Sequence, residues 1–550
     1  MQTPLPPCHT RALLELRLAR CCRLRDGHLS SLGQLAPTLR VLSLERCQAL
    51  TTRTAEVVTQ LCGLLDLNLD DTHLGHVAGR LGHVTGLTRL RLGGLPTRDA
   101  DCEALAQLTG LRELSLWGSE VGDTGVAALS TLTRLTCLDL SLTAAHAPPP
   151  LPCLRRLAMI HCELDLADEG QRQSWLGGGP PVLPALEDLQ LHKAAVQLPW
   201  GQALLAALVS GAAPALRSLN LSGCNVEDLS LLAAATALRE LDLAEARVGP
   251  GLLADEALGA LALLPLTALN LDRTACTDAG VGQLLAMTGL RQLSLACVGV
   301  GDGCWAVLAQ LPALEALDLS NSRFSAGLGI LPQGASHAAV RAGRGTGRHA
   351  AAAGPAAAAV AAAAAGLAPP HPAAAVTRRR SGSYDPPRLA SLTSLRMLNT
   401  KVDDLGCRRL APLLPALRSL SLSSSGVSDS GFKTLCEGLR DLRSLEASGL
   451  MLTDQGLHAA GKLSALTRLV VSDCWLVSDK EAAAVAARGH VLREVRLNGR
   501  PVSPALTPST SLGRNATLSP RCRTLSGEPE GAGSARDGGS MAAGMKWSAY

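Results

Sequence analysis

Gly456-Leu457-His458-Ala459-Ala460-Gly461-Lys462 has the G-x-x-x-x-G-K spacing with which a glycine-rich loop cradles phosphate, but Leu463 stands where a Ser or Thr hydroxyl would hold magnesium. His73, His76 and His83 crowd together as metal-binding imidazoles do, yet neither a cysteine nor a paired carboxylate accompanies them. No G-x-S-x-G elbow occurs, and Ser, His and Asp are scattered without a spacing that would assemble a nucleophile and its base. The 17 cysteines are odd in number and include no C-x-x-C pair, so they read as reduced thiols. These residues predict no catalysis, no cofactor, no metal and no small-molecule substrate.

What the sequence does contain in quantity is a repeated element. A unit L-x-x-L-x-L, or an apolar variant of it, starts at 13, 39, 64, 87, 111, 135, 154, 186, 216, 238, 266, 290, 314, 392, 417, 442, 466 and 492. The alternating L-x-L end predicts a short strand with leucines on one face and the intervening residues on the other. About eight residues after the start stands, in twelve of the eighteen copies, a residue with a hydroxyl or thiol, as at Cys21, Cys47, Thr72, Thr143, Cys162, Cys224, Thr274 and Cys474. Its hydroxyl or thiol is expected to turn inward and meet backbone groups of the neighbouring unit. Twelve residues after the start, Asp recurs at 99, 123, 228, 278, 302, 404, 429 and 454, in five copies as D-x-G, and an apolar stretch follows. That pattern predicts an Asp N-cap ahead of a helix. One unit of strand, turn, cap and helix buries too little to fold alone, so the units must stack, with the strands forming a parallel sheet and the helices lying opposite.

The pattern resembles the leucine-rich-repeat family, and the Cys or Thr slot followed by D-x-G is similar to the cysteine-containing subclass found in F-box/LRR ubiquitin-ligase receptors. The resemblance spans residues 13–331 and 389–500. It implies an α/β leucine-rich-repeat solenoid, a curved horseshoe with the parallel sheet on its concave face and helices on its convex face. It also implies a non-catalytic protein-binding role, with a substrate receptor of a cullin-type ubiquitin ligase as the alternative and a structural protein of the ciliary axoneme as a further member of the same class.

Four regions follow: repeats over 1–332, an Ala-, Gly-, Pro- and Arg-rich insertion over 333–388, repeats again over 389–500, and a Ser-, Gly- and Pro-rich tail over 501–550. Insertion and tail are expected to be disordered. Whether the two repeat blocks stack as one arc or stand as two lobes is open at the sequence level. The net charge of +4 comes from irregular segments: seven arginines against Asp385 alone in 333–391 leave the repeats mildly acidic. So weak a mean field excludes a general affinity for nucleic acid. Arg378-Arg379-Arg380-Ser381 resembles a basophilic-kinase site, with Ser381 as the phosphate acceptor. The Ala run over 350–368 contains Gly354 and Pro355 and predicts no membrane span, and the first 26 residues, broken by Pro4, Pro6, Pro7 and several charges, lack the apolar run of a secretory signal. A cytoplasmic location is therefore expected, and the acceptor pattern Asn515-Ala516-Thr517 is expected to stay unglycosylated.

A partner would meet the residues two, four and six places after each start. In the middle units these are Glu113, Trp117, Asp139, Asp188, His192, Glu240, Asp242, Asp272 and Asp318, with Arg156 as the one base. The strip reads as acidic with an exposed tryptophan anchor, suited to a basic protein segment.

Overall fold

The computed structural model describes residues 13–166, 169–176, 182–196, 201–327, 388–488 and 491–502. They fall in one compact unit, Met1–Ala505; a second, Leu506–Tyr550, lies outside the described residues. Ser381, Asn515, most of the expected insertion and all of the expected tail but Pro501 and Val502 also lie outside them.

Each of the eighteen repeat starts is followed two residues later by a strand, from Glu15–Arg17 through Glu240–Asp242 to Glu494–Leu497. Each strand pairs in parallel with the next at one common register, for example Glu240 opposite Ala268 and Leu241 opposite Leu269. A nineteenth strand, Arg500–Pro501, closes the sheet in antiparallel fashion through a hairpin at Asn498-Gly499, both with positive φ. From the coil starting at 39 to that starting at 466, the apolar residues at the start and at the third and fifth positions after it, such as Leu238, Leu241 and Leu243, are buried in one continuous core.

The ladder does not stop at the long interruption. Ala316 stands opposite Ser394, the Thr393 N–H donates to the Glu315 carbonyl at 2.8 Å, and the Leu319 N–H donates to Arg396 at 2.9 Å. The two repeat blocks thus share one hydrogen-bonded sheet.

Seven residues after every start the chain turns through left-handed backbone. Glycine takes this corner in five coils, and residues as varied as Arg46, Leu142, His161, Glu245 and Cys297 take it in the others. The corner lets its N–H continue the ladder, as when Glu245 donates to Asp272 O at 2.8 Å. The next position is the inward slot. Thiols of Cys47, Cys162 and Cys224 reach the carbonyls of Leu18, Leu140 and Leu191 in the preceding coil at 2.8, 3.1 and 2.9 Å. Threonines bond within their own coil, Thr72 to Leu69 and Thr274 to Leu271, both at 2.7 Å. Burial pushes the Cys224 thiol up to about 12, which keeps it protonated and inert. Cys21, in the first described coil, is exposed.

The helical side corrects the expected role of aspartate. Asp99, Asp123, Asp278, Asp302, Asp404, Asp429 and Asp454 occupy the first helical position, and the residue before them is the cap. Ser428 and Thr453, for instance, accept from the N–H of Ser430 and Gln455. The Asp carboxylate crosses to the next coil. Asp429 takes the Thr453 N–H at 2.9 Å and its hydroxyl at 2.5 Å, and Asp404 takes those of Ser428 at 2.8 and 2.6 Å. Of the eight expected caps only Asp228 caps its own helix, at Ser230 N. The glycine of D-x-G has a matching reason: a methyl group at Gly125, Gly431 or Gly456 would overlap the carboxylate of Asp99, Asp404 or Asp429 arriving from the preceding coil.

Candidate partner-binding face

The phosphate-loop spacing has no loop to serve, because Gly456 lies inside the helix Asp454–Ala460, packed under Asp429. His73 and His83 spend ring nitrogens on the Gln48 and Thr59 carbonyls of the preceding coil, at 2.8 and 2.7 Å. Among the described residues no helix is long and apolar enough to cross a membrane.

The parallel register brings the expected partner-binding residues onto one sheet face, but in different states. Glu240 is exposed, whereas Glu113, Asp139, Asp188, His192, Asp242 and Asp272 are half-buried and Asp318 is buried. For Asp139, Asp242 and Asp318 the fourth position explains why. There an Asp or Asn oxygen accepts the N–H two residues on, just before the left-handed corner. Asp139 holds Ser141 at 3.0 Å, Asp242 holds Ala244 at 2.9 Å and Asp318 holds Ser320 at 2.8 Å, while Asn68, Asn220 and Asn270 do the same for Asp70, Ser222 and Asp272. These side chains brace the turn first and offer charge second.

Trp117 is not the exposed anchor that the sequence suggested. Its indole lies over Gly93 of the preceding coil, where any side chain would overlap it, and it is half-buried. Among the described residues the exposed indole is Trp475, 83% accessible, with Met451 at the same position of the neighbouring coil 70% accessible and Leu476 67% accessible. The signal was present in the sequence: Trp475 follows directly on the inward slot at Cys474, so the alternation turns it outward.

Around His192 the face carries a directed hydrogen-bond chain. The Gln190 amide donates to Asp188 at 2.6 Å, Asn220 donates to Gln190 at 3.0 Å, and the Ser222 hydroxyl donates to Asn220 at 2.6 Å. His192 Nδ1 lies 2.6 Å from that hydroxyl, whose single proton is already committed, so Nδ1 donates. Burial, then the nearby Lys193 and His161, lowers the His192 pKa and keeps the ring neutral near pH 7.

The carboxylates differ along the sheet. Asp66, Glu113, Asp318 and Glu494 each have an arginine within 3.6 Å, namely Arg89, Arg91, Arg396 and Arg468. Between them Asp139, Asp188, Glu240, Asp242 and Asp272 show no ion pair among the described residues. Burial raises the pKa of Asp242, and burial followed by the charges of Asp318 and Asp242 raises that of Asp272. Among the described residues, the middle of the face thus holds carboxylates without an ion-pair partner, with Arg156, opposite Asp188, as its one base.

Stacked strand-turn-helix coils with leucine cores, one register and inward Cys or Thr slots define a leucine-rich-repeat solenoid. The model described as "Leucine Rich repeat" matches residues 213–233. No curated protein matches the sequence. Among solved structures, a leucine-rich-repeat protein of Leptospira interrogans is 19% identical over 85% of this chain and 91% of its own, with a TM-score of 0.44. An internalin of Listeria monocytogenes is 16% identical over 88% and 86%, with a TM-score of 0.29. A leucine-rich-repeat ectodomain of an Arabidopsis receptor kinase, in complex with a peptide hormone ligand, is 18% identical over 80% and 68%, with a TM-score of 0.37.

Proposed function

We propose that the protein is a non-catalytic interaction scaffold that binds a basic segment of a partner protein on the middle of its sheet face. The observation that supports this reading is the run of Asp139, Asp188, Glu240, Asp242 and Asp272, which show no ion pair among the described residues even though Arg156 stands opposite Asp188, between coils where carboxylates are paired. A Lys or Arg side chain docking there would meet half-buried carboxylates whose mutual repulsion it relieves, a gain unavailable at the already paired ends.

The test uses substitutions that respect the bracing role of the fourth position. Asp242→Asn and Asp272→Asn keep an acceptor oxygen for Ala244 and for the Ala296 N–H and remove the charge, while Glu240→Lys reverses it at an exposed site. The triple variant, used as bait in affinity purification with mass spectrometry, should lose its basic partners while melting no lower than the parent. Full retention of every partner would remove this surface from consideration, and recovery of a ligase adaptor in both baits would favour the substrate-receptor role instead.

A further inference from the structure

A second charged surface runs along the edge where the chain enters the sheet. The residue directly after each repeat start is Arg in nine of the eighteen coils, Thr in five and Glu in two. Neighbouring strands bring these positions within about 4.8 Å of one another, so they form a continuous rim. The threonines secure the edge itself: Thr88, Thr136, Thr267, Thr393 and Thr467 each donate to the carbonyl of the same position one coil back, at 2.9 to 3.1 Å. Arg40 turns back onto the Gly63 carbonyl and Arg239 onto those of Thr236 and Leu238, and five other arginines are left over. Arg112, Arg217, Arg418, Arg443 and Arg493 are exposed and hold no carboxylate among the described residues. Arg112 converges with Arg134 and Arg155 on one shallow recess beside Thr136.

The rim also shows what its arginines take. At the two coils where it supplies a Glu, the arginine of the coil before grips it: Arg155 meets Glu187 at 3.2 Å and Arg291 meets Glu315 at 3.1 Å. Elsewhere on the rim the same side chain faces no such partner among the described residues. No aromatic residue occupies any rim position. Single-stranded nucleic acid binding draws on aromatic stacking platforms as well as on cations, so the rim lacks half of that requirement. Guanidinium groups pair with carboxylates through two parallel N–H donors, and an extended acidic polypeptide carries such carboxylates in a row along the rim.

We infer that this arginine rim is a docking edge for a carboxylate-rich protein segment, distinct from the acidic face and independent of its reading. The probe is a fluorescently labelled oligoglutamate peptide titrated into the full chain and followed by anisotropy, with an oligouridylate of equal charge in parallel. Arg418→Gln with Arg443→Gln and Arg493→Gln should weaken the peptide about tenfold at unchanged melting temperature. Arg378→Gln with Arg379→Gln and Arg380→Gln, outside the rim, should leave it within about twofold. Glu187→Gln with Glu315→Gln frees two rim arginines and should tighten binding, so a loss of fold in the first variant cannot hide the result. Undiminished peptide binding by the rim variant, loss confined to the 378–380 variant, or tighter binding of the oligouridylate would each overturn the inference.

Discussion

Asp70 shows how a single carboxylate is divided between bracing and charge. It accepts the Gly93 N–H at 2.7 Å, and burial, with Glu45 and Asp71 adding repulsion, raises its pKa to about 6. The folded state therefore binds this proton more tightly than the unfolded chain, where the group titrates near 3.8. Its contribution is fully favourable below pH 3.8 and is lost as the pH rises through about 6. Asp70→Asn keeps the acceptor and discards the charge. It should raise stability at pH 7 by about 1 kcal/mol, allowing for screening at a half-exposed site, and flatten the denaturant-midpoint profile between pH 4 and 7. A profile unchanged from the parent would show that the charge costs nothing there. The same division was half legible in the sequence. Asp139, Asp242 and Asp318 alternate at the fourth position with Asn68, Asn220 and Asn270, and that interchange marks an oxygen acceptor rather than a charge. Reading only the acids made the strip look more electrostatic than it is. Trp117 failed for a related reason: strand alternation turned it outward correctly, but the missing side chain at Gly93 that receives its ring belongs to another coil.

At the scale of the element, D-x-G is a joint between coils. Asp429 and Gly456 are partners although 27 residues separate them, because one presents a carboxylate and the other leaves room for it. Gly456→Ala should destabilise by about 1–3 kcal/mol through overlap, and Asp429→Ala by about 1–2 kcal/mol through loss of its bonds to Thr453. In the double variant the overlap has no carboxylate to act on, so the two costs should sum to clearly more than the measured total in urea melts. Strict additivity would mean that the joint is not one. The sequence displayed strand, cap region and helix in the right order wherever the Asp signal recurs, because period and turn chemistry are local; the coil starting at 135, with Pro148, Pro149 and Pro150, has no helix. It assigned Asp to its own helix because the nearest free N–H groups along the chain are there, and only the stacking register reveals the closer ones.

Across the whole molecule, the eighteen strands answer the question the interruption left open. Leu395, fully buried in the strand Ser394–Leu398, sits where the two blocks meet, whereas Leu16 in the first described strand is only partly covered. Leu395→Ala should cost about 2–5 kcal/mol and lower unfolding of both blocks together, and Leu16→Ala should cost about 1 kcal/mol or less. Unfolding of the first block unaffected by Leu395→Ala, followed by hydrogen exchange, would mean that the shared sheet carries no coupling.

The left-handed corners recur at one fixed place in each coil, thirteen of them on residues other than glycine. Every such corner holds roughly 1 kcal/mol or more of conformational tension against the gain from stacking. That tension is spread evenly along the array instead of gathering at one place, so adding or removing a whole coil leaves the balance in the rest as it was. Glycine introduced at corners that hold no ion pair, such as Leu142, would then firm the array in small steps without touching either charged surface, whereas at Arg46 or Glu245 it would also remove the pair with Asp71 or Arg273.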